Sequence, residues 1–397
     1  MKNRIFTPLS LAGFAATLIG NGIGRFAYIA LMPALITVGW FSKSEASLLG
    51  AATLFGYLFG VPLTEQAVRR LSPAMVLRLA AIICSLSYFC CAFSGAPFAW
   101  YLAWRCITGM AGAVLMVLAA PLVVPRHPAN VRNRVSGVVF SGVGMGAVLA
   151  GTLIPVLLRA SVNAAWIGMG IISLMLSLYC WVVLADDDST AVAAPAASSP
   201  SGGGRASPAE WLLIIAYTLN AVGYLPHTLF WVDYVVRELH MSMMTGGLLW
   251  ATFGYGAAIG PLATGQMAER IGTGPSLLFG LMGKAIAVAM PFFSTTLASL
   301  ALSAFFVGVF TPGVASLVAS CALECVGSAR FRPAWGRMTF GFAAAQAICG
   351  YLMVEMVSKT TSYKPLFLIS ALALVGAVLA TAMLLGQRRV ATTIPNP

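Results

Sequence analysis

The chain is short of charge. Only 9% of its 397 residues are Asp, Glu, Lys or Arg, against 59% hydrophobic residues and a mean hydropathy of +0.90. A soluble protein carries roughly a quarter charged residues, so a shortage along the whole chain excludes a globular domain tethered by one anchor. Acids are scarcest: 11 Asp and Glu stand against 23 Lys and Arg, a net charge of +12. In a soluble chain that balance would point to nucleic acid. In one this apolar it points to basic loops on one side of a bilayer, and no nucleic-acid partner is expected. His127, His227 and His240 lie far apart, and no His/Cys set has metal-ligand spacing, which argues against a zinc or two-metal centre. The eight Cys form no CxxC pair and read as small hydrophobes. GxxxxGK[ST], GxSxG and HExxH are missing, so an enzyme is the least favoured class and no cofactor is expected. The apolar stretch after Met1-Lys2-Asn3-Arg4 lacks a small-residue cleavage site and continues past Arg25, so it reads as a spanning helix rather than a signal peptide.

What the chain has is apolar runs, at approximately 9–37, 44–68, 73–94, 97–124, 134–158, 162–184, 209–237, 243–268, 274–294, 296–322, 334–357 and 362–386. Each can supply the ~20 residues that a spanning helix needs. Residues 185–208 open with Asp186-Asp187-Asp188 and continue in Ala, Pro, Ser and Gly, the composition of a flexible linker. The expectation is an all-α integral membrane protein of twelve transmembrane helices in two six-helix bundles, residues 1–184 and 209–397. Placing the N-terminus inside puts Lys2, Arg4, Arg69, Arg70, Arg126, Arg132, Arg134, Arg205, Arg270, Arg330, Arg332, Arg388 and Arg389 in cytoplasmic segments. Lys43, Arg159, Arg237, Lys359 and Lys364 fall opposite. The excess of basic residues assigns both termini and the linker to the cytoplasm and the protein to a bacterial inner membrane.

The halves repeat. ATLFGYLFGVPL (52–63) is echoed by ATFGYGAAIGPL (251–262), Gln66 by Gln266, and NGIGR (21–25) by NAVGY (220–224). Registers of about 199 residues agree, which marks a parallel duplication of the kind that builds some secondary transporters. Against this background, Gly265-Gln266-Met267-Ala268-Glu269-Arg270-Ile271-Gly272 resembles the GxLaDRxG loop of the major facilitator superfamily. Arg105-Cys106-Ile107-Thr108-Gly109-Met110-Ala111-Gly112-Ala113 is similar to its RxxxGxxGA element. The first-half loop keeps Glu65 and Arg69-Arg70, with Val68 where a glycine is expected. GNGIGRFAYIALMPAL (20–35) and FAAAQAICG (342–350) resemble the YbfB/YjiJ-type members. The resemblance implies that Glu65, Arg69 and Arg70, with Glu269 and Arg270, form a latch between helices that stabilises the outward-open state.

Charge within the bilayer marks the candidate site, because it is costly unless it faces protein or water. Arg25 lies about 16 Å below the outer end of the first run, Arg105 about 12 Å and His227 about 14 Å below the outer ends of theirs, at ~1.5 Å per residue. Asn21, Arg25, Tyr28 and Met32 share a helical stripe, as do Asn220, Tyr224, His227 and Trp231. Both stripes are expected to face a central cavity. With no acid in that layer, Arg25 and Arg105 would answer an anionic substrate, with Asn21, Tyr28, Asn220, Tyr224, His227, Trp231 and Gln346 around it. Structural alternatives stand beside this: Arg105 holding backbone, His227 as a buried hydrogen-bonding residue, the aromatics as packing. His227 and Asp233 are the proton-coupling candidates, although Asp233 also suits an i, i+4 pair with Arg237. Lys284, mid-span in a peripheral helix, is expected to snorkel or make a structural contact. The reading is a monomeric secondary transporter of a small, anionic organic solute, with membrane lipid and protons as its other partners. Broad-specificity efflux and lipid flipping remain open alternatives.

Overall fold

In the bilayer every backbone N–H and C=O must be satisfied within the protein, which forces apolar runs into helices. The computed structural model describes residues 5–128, 131–184, 206–360 and 362–393. Its helices are α1 (Pro8–Thr37), α2 (Lys43–Ala67), α3 (Pro73–Cys90), α4 (Phe98–Val123), α5 (Arg132–Leu157), α6 (Val162–Val183), α7 (Pro208–Gly223), α8 (Met243–Ile271), α9 (Thr273–Phe293), α10 (Leu297–Gly327), α11 (Ala334–Lys359) and α12 (Lys364–Thr393). Among the described residues ten of these are long and apolar enough to cross a membrane, all except α7 and α8. Thr7, Ser42, Ser72, Ser161, Ser207, Ser242 and Thr296 each accept a first-turn N–H, filling one of the donors that a helix start leaves open. The expected linker, apart from residues 206–208, lies outside the described residues with Lys2, Arg4 and Arg205. So do the side chains of Arg132, Arg134, Arg332, Arg388 and Arg389.

Two helices depart from the regular ladder at the same depth. In α1, Leu18–Ala27 is wound as a π-helix, a stretch weakened by Gly20, Gly22 and Gly24. Neighbours take up its loosened carbonyls: Cys84 donates to Ile19 O at 3.6 Å, Tyr88 OH donates to Ile23 O, and Arg105 Nη1 donates to Gly24 O at 3.2 Å. The seventh run, expected to be one helix over 209–237, is broken. It stops at Gly223, resumes as Leu225–Leu229, stops again at Phe230, and continues as Trp231–Asp233 and a π-turn over Tyr234–Glu238. Pro226 explains the first break: it has no N–H to donate and its ring crowds the carbonyl four residues back. That carbonyl, Val222 O, accepts instead from Ser370 Oγ of α12 at 3.1 Å.

Glycines set the closest helix contacts. A Cβ on Gly56 of α2 would lie 2.8 Å from the carbonyl carbon of Cys106 in α4, and one on Gly256 of α8 would lie 2.9 Å from Val309 N in α10. The two positions are 256 − 56 = 200 residues apart, the register of the repeat. Gly22 of α1 meets Gly146 of α5, and Gly144 of α5 meets Gly254 of α8 backbone to backbone.

The end of the molecule opposite the chain termini is tied shut. Lys43 Nζ donates to Thr360 O at 3.4 Å and stands 4.5 Å from the Tyr363 ring. Below this closure, beside Arg25 at mid-depth, Phe26 of α1 meets Trp250 and Phe253 of α8 edge-on, with centroids 5.4 and 5.7 Å away. At the terminal end, α8 stops at Gly272, whose φ of 86° is open to glycine and strained for other residues. The equivalent stop after α2 is made by Val68 at φ −70°.

Gly56→Ala should therefore destabilise the protein by about 1–3 kcal/mol through overpacking. Gly265→Ala, with nothing within 4 Å of the added methyl, should be neutral. Thermal unfolding in detergent compares the two, and equal melting temperatures would contradict the close α2–α4 contact.

Candidate functional site

A line of buried polar side chains crosses the middle of the molecule. Arg25 Nη1 of α1 donates to Gln346 Oε1 of α11 at 3.3 Å. Gln346 Nε2 donates to Tyr224 OH at 2.9 Å. The Tyr224 ring, at the joint after α7, faces Lys284 Nζ of α9 at 4.0 Å from its centroid, and Lys284 donates to Asn220 Oδ1 of α7 at 3.0 Å. All five are buried, Lys284 completely. Arg25 Nε and Nη2 have no hydrogen-bond partner among the described residues. Nor does a carboxylate pair with Arg25, Arg105 or Lys284 among them.

Arg25, Asn220, Tyr224 and Gln346, all expected around the site, meet in this line, and of the two outcomes expected for Lys284, snorkelling or a structural contact, the second is present. Lys284 does not snorkel: it is wholly enclosed against the interrupted helix. Depth arithmetic would have found it. At ~1.5 Å per residue, Lys284 lies about 16 Å from the start of α9 and Asn220 about 18 Å from the start of α7.

The α1 stripe is not one face, because a π stretch takes more residues per turn than an α-helix. Arg105 and Tyr28 are turned away from Arg25 and pair with each other. The Arg105 guanidinium sits 4.4 Å over the Tyr28 ring while holding Gly24 O, and Tyr28 OH donates to Ala46 O of α2 at 2.7 Å. Met32 is in the core and Asn21 is half-buried.

The second stripe separates likewise. His227 Nε2 and Ser303 Oγ of α10 are 2.8 Å apart, and Ser303 donates to Ala287 O at 2.7 Å. Ser303 therefore accepts from a protonated Nε2, which leaves Nδ1 as a bare acceptor with no partner among the described residues. The His227 ring stacks on Trp231 at 4.4 Å and meets Phe367 of α12 edge-on. His227 thus contacts α10 and α12, and Trp231 contacts α12 through the Phe367 ring. Asp233 is buried near the closed end, where Tyr363 OH donates to it and Arg237 Nη1 stands 3.7 Å away. The expected i, i+4 ion pair is present.

At the terminal end, Glu65, Arg69, Arg70, Glu269 and Arg270 are all exposed, and no ion pair among the described residues joins them to another helix. The sequence reading passed over Glu210, enclosed at the start of α7, which accepts from Arg337 and lies 3.7 Å from Arg330. Among the described residues no three His, Cys, Asp or Glu side chains gather to hold a metal.

An all-helical chain with ten apolar spans, two first helices opened at mid-depth and a polar line between them has the build of a membrane transporter, and the chain belongs to the major facilitator superfamily. Within it, residues 17–383 match the family described as "Uncharacterised MFS-type transporter YbfB". No curated protein matches the chain.

Gln346→Leu strips Arg25 of its acceptor and Tyr224 of its donor, and should destabilise by about 1–3 kcal/mol. Gln346→Glu hands Arg25 a carboxylate and should melt no lower than the wild type. Thermal unfolding that ranks Glu below Leu would contradict the Arg25–Gln346 contact.

Proposed function

We propose that the chain is a secondary transporter moving a small organic anion across a bacterial cytoplasmic membrane by alternating access. Its twelve spans, counting α8 and the broken stretch from Pro208 to Glu238, form bundles over residues 1–184 and 209–397. The glycine contacts repeated at the 200-residue register support that division.

One observation carries the anion: Arg25 is a buried guanidinium with two unpartnered nitrogens and only a neutral acceptor. A guanidinium keeps its proton, so a negative group would answer both its charge and its two open donors. A carboxylate, phosphate or sulfonate can accept from the fork on two oxygens. Gln346 Oε1 occupies the place such an oxygen would take. In this reading Gln346, Tyr224 and Asn220 orient the ligand. Arg105 and Tyr28 hold the π stretch that presents Arg25 rather than touching the ligand.

The closed end, with Lys43 on Thr360 and the Phe26–Trp250 contact below it, together with unpaired charges at the other end among the described residues, supports an inward-facing conformation with both termini in the cytoplasm. The Glu65/Arg69/Arg70 and Glu269/Arg270 groups would close in the opposite state. His227 and Asp233 are the buried titratable groups assigned to a coupling proton. If either carries it, a pH step across proteoliposomes drives anion uptake, and Asp233→Asn and His227→Gln identify which. Uptake indifferent to the step excludes proton coupling.

The test of the anion is thermal stabilisation of the purified protein by acetate, butyrate, succinate, phosphate and methanesulfonate. Arg25→Ala should weaken the response to any stabilising anion by about ten-fold or more, since hydrogen bonds to charged groups are worth ~1.5–3 kcal/mol. Arg105→Ala should lower the melting temperature itself. An unchanged anion response in Arg25→Ala would overturn recognition at this residue.

A further inference from the structure

Lys284 has no part in the reading above, and its surroundings carry a further one. Of the Lys and Arg side chains buried at mid-depth among the described residues, Arg105 is tied to the π stretch: its guanidinium donates to Gly24 O and lies over the Tyr28 ring. Arg25 and Lys284 remain, joined through Gln346 and Tyr224, with Asn220 bonded to Lys284. Every group between them is neutral. An ammonium has three donors; Lys284 gives one to Asn220 Oδ1 and presents the rest of its charge to the face of Tyr224.

Neither of these two enclosed cations has a carboxylate partner among the described residues, and an uncompensated charge at that depth is costly. A ligand with one negative group answers Arg25 and leaves Lys284 as it was. A ligand with a negative group at each end answers both. We propose that the site takes a dianion with two separated anionic groups, of the dicarboxylate class, and that Lys284 supplies the charge for the second group. The proposal rests on the reading of Arg25 as the anchor of the first.

Access follows from the break in the seventh run. Asn220 and Tyr224, the residues that cover Lys284, lie in the last turn of α7 and at the joint that follows it, where Tyr224 has φ −123° and ψ 10°. Tyr224 OH is held by Gln346, the residue that the first anionic group displaces from Arg25. Ligand arrival at Arg25 thus frees the side chain that screens Lys284. A purely structural role is the alternative, since a cation beside the last turn of α7 favours the helix dipole. That role predicts lost stability on substitution and no change in which anions bind.

The experiment is thermal unfolding of the full-length purified protein titrated with acetate, butyrate, succinate, glutarate and inorganic phosphate. In the wild type, succinate or glutarate should reach half-effect at about ten-fold lower concentration than butyrate, the scale of one further charged hydrogen bond. Phosphate, whose charges share one group, should behave like the monocarboxylates. Lys284→Gln should erase the dicarboxylate preference while still responding to butyrate, and Lys284→Arg should keep it. Butyrate binding as tightly as succinate in the wild type, or an intact preference in Lys284→Gln, overturns the proposal and leaves the Arg25 reading standing. If no anion stabilises the wild type, both fall. Should Lys284→Gln fail to fold, the wild-type comparison of one against two carboxylates decides alone.

Discussion

The architecture around the site depends on the rule that a backbone carbonyl in a bilayer must find its donor inside the protein. Where α1 loosens into a π stretch and the seventh run breaks at Pro226, carbonyls leave the helical ladder. Each is met by a side chain from a neighbour: Cys84, Tyr88 and Arg105 on the first, Ser370 on the second. These contacts fix how α3 and α4 sit against α1, and how α12 sits against α7. They also engage Arg105, which donates to Gly24 O. The irregular helices are what leave Arg25 and Tyr224 at mid-depth, facing each other across Gln346.

The second constraint is electrostatic. The acids that are enclosed are already engaged, Glu210 by Arg337 and Arg330 near the chain termini and Asp233 by Tyr363 and Arg237 at the closed end. Both lie near the ends of the spans, where shielding a charge costs least. Among the described residues the middle holds buried bases with no carboxylate paired to them, the imbalance on which the proposed anion rests. The closed end adds a mechanical consequence: Lys43 grips the α11–α12 connection, which brings Tyr363 and thus Asp233 into the same cluster.

Much of this was legible in the sequence, for reasons that particular residues show. Arg25 stands out because a lone guanidinium in an apolar run has few bland explanations, and Asn220 because it shares a polar stripe with Tyr224. Tyr28, His227 and Trp231 lie off the Arg25 line for one shared reason: the expected stripes assume 3.6 residues per turn through segments that do not keep that pitch. Lys284 was discounted by its helix's peripheral position, although a long side chain reaches across a neighbour as readily as toward lipid.

Composition and periodicity alone determined that the chain lives in a membrane, repeats at about 199 residues and carries uncompensated bases in its spans, because burial energies and helix length depend only on residue type and count. Which bases meet which partners was decided by the fold. A π stretch, a proline break and glycine contacts rotate side chains by fractions of a turn, and such rotations arise from packing between segments hundreds of residues apart. Sequence therefore delivered Arg25, and only the tertiary structure joined it to Lys284.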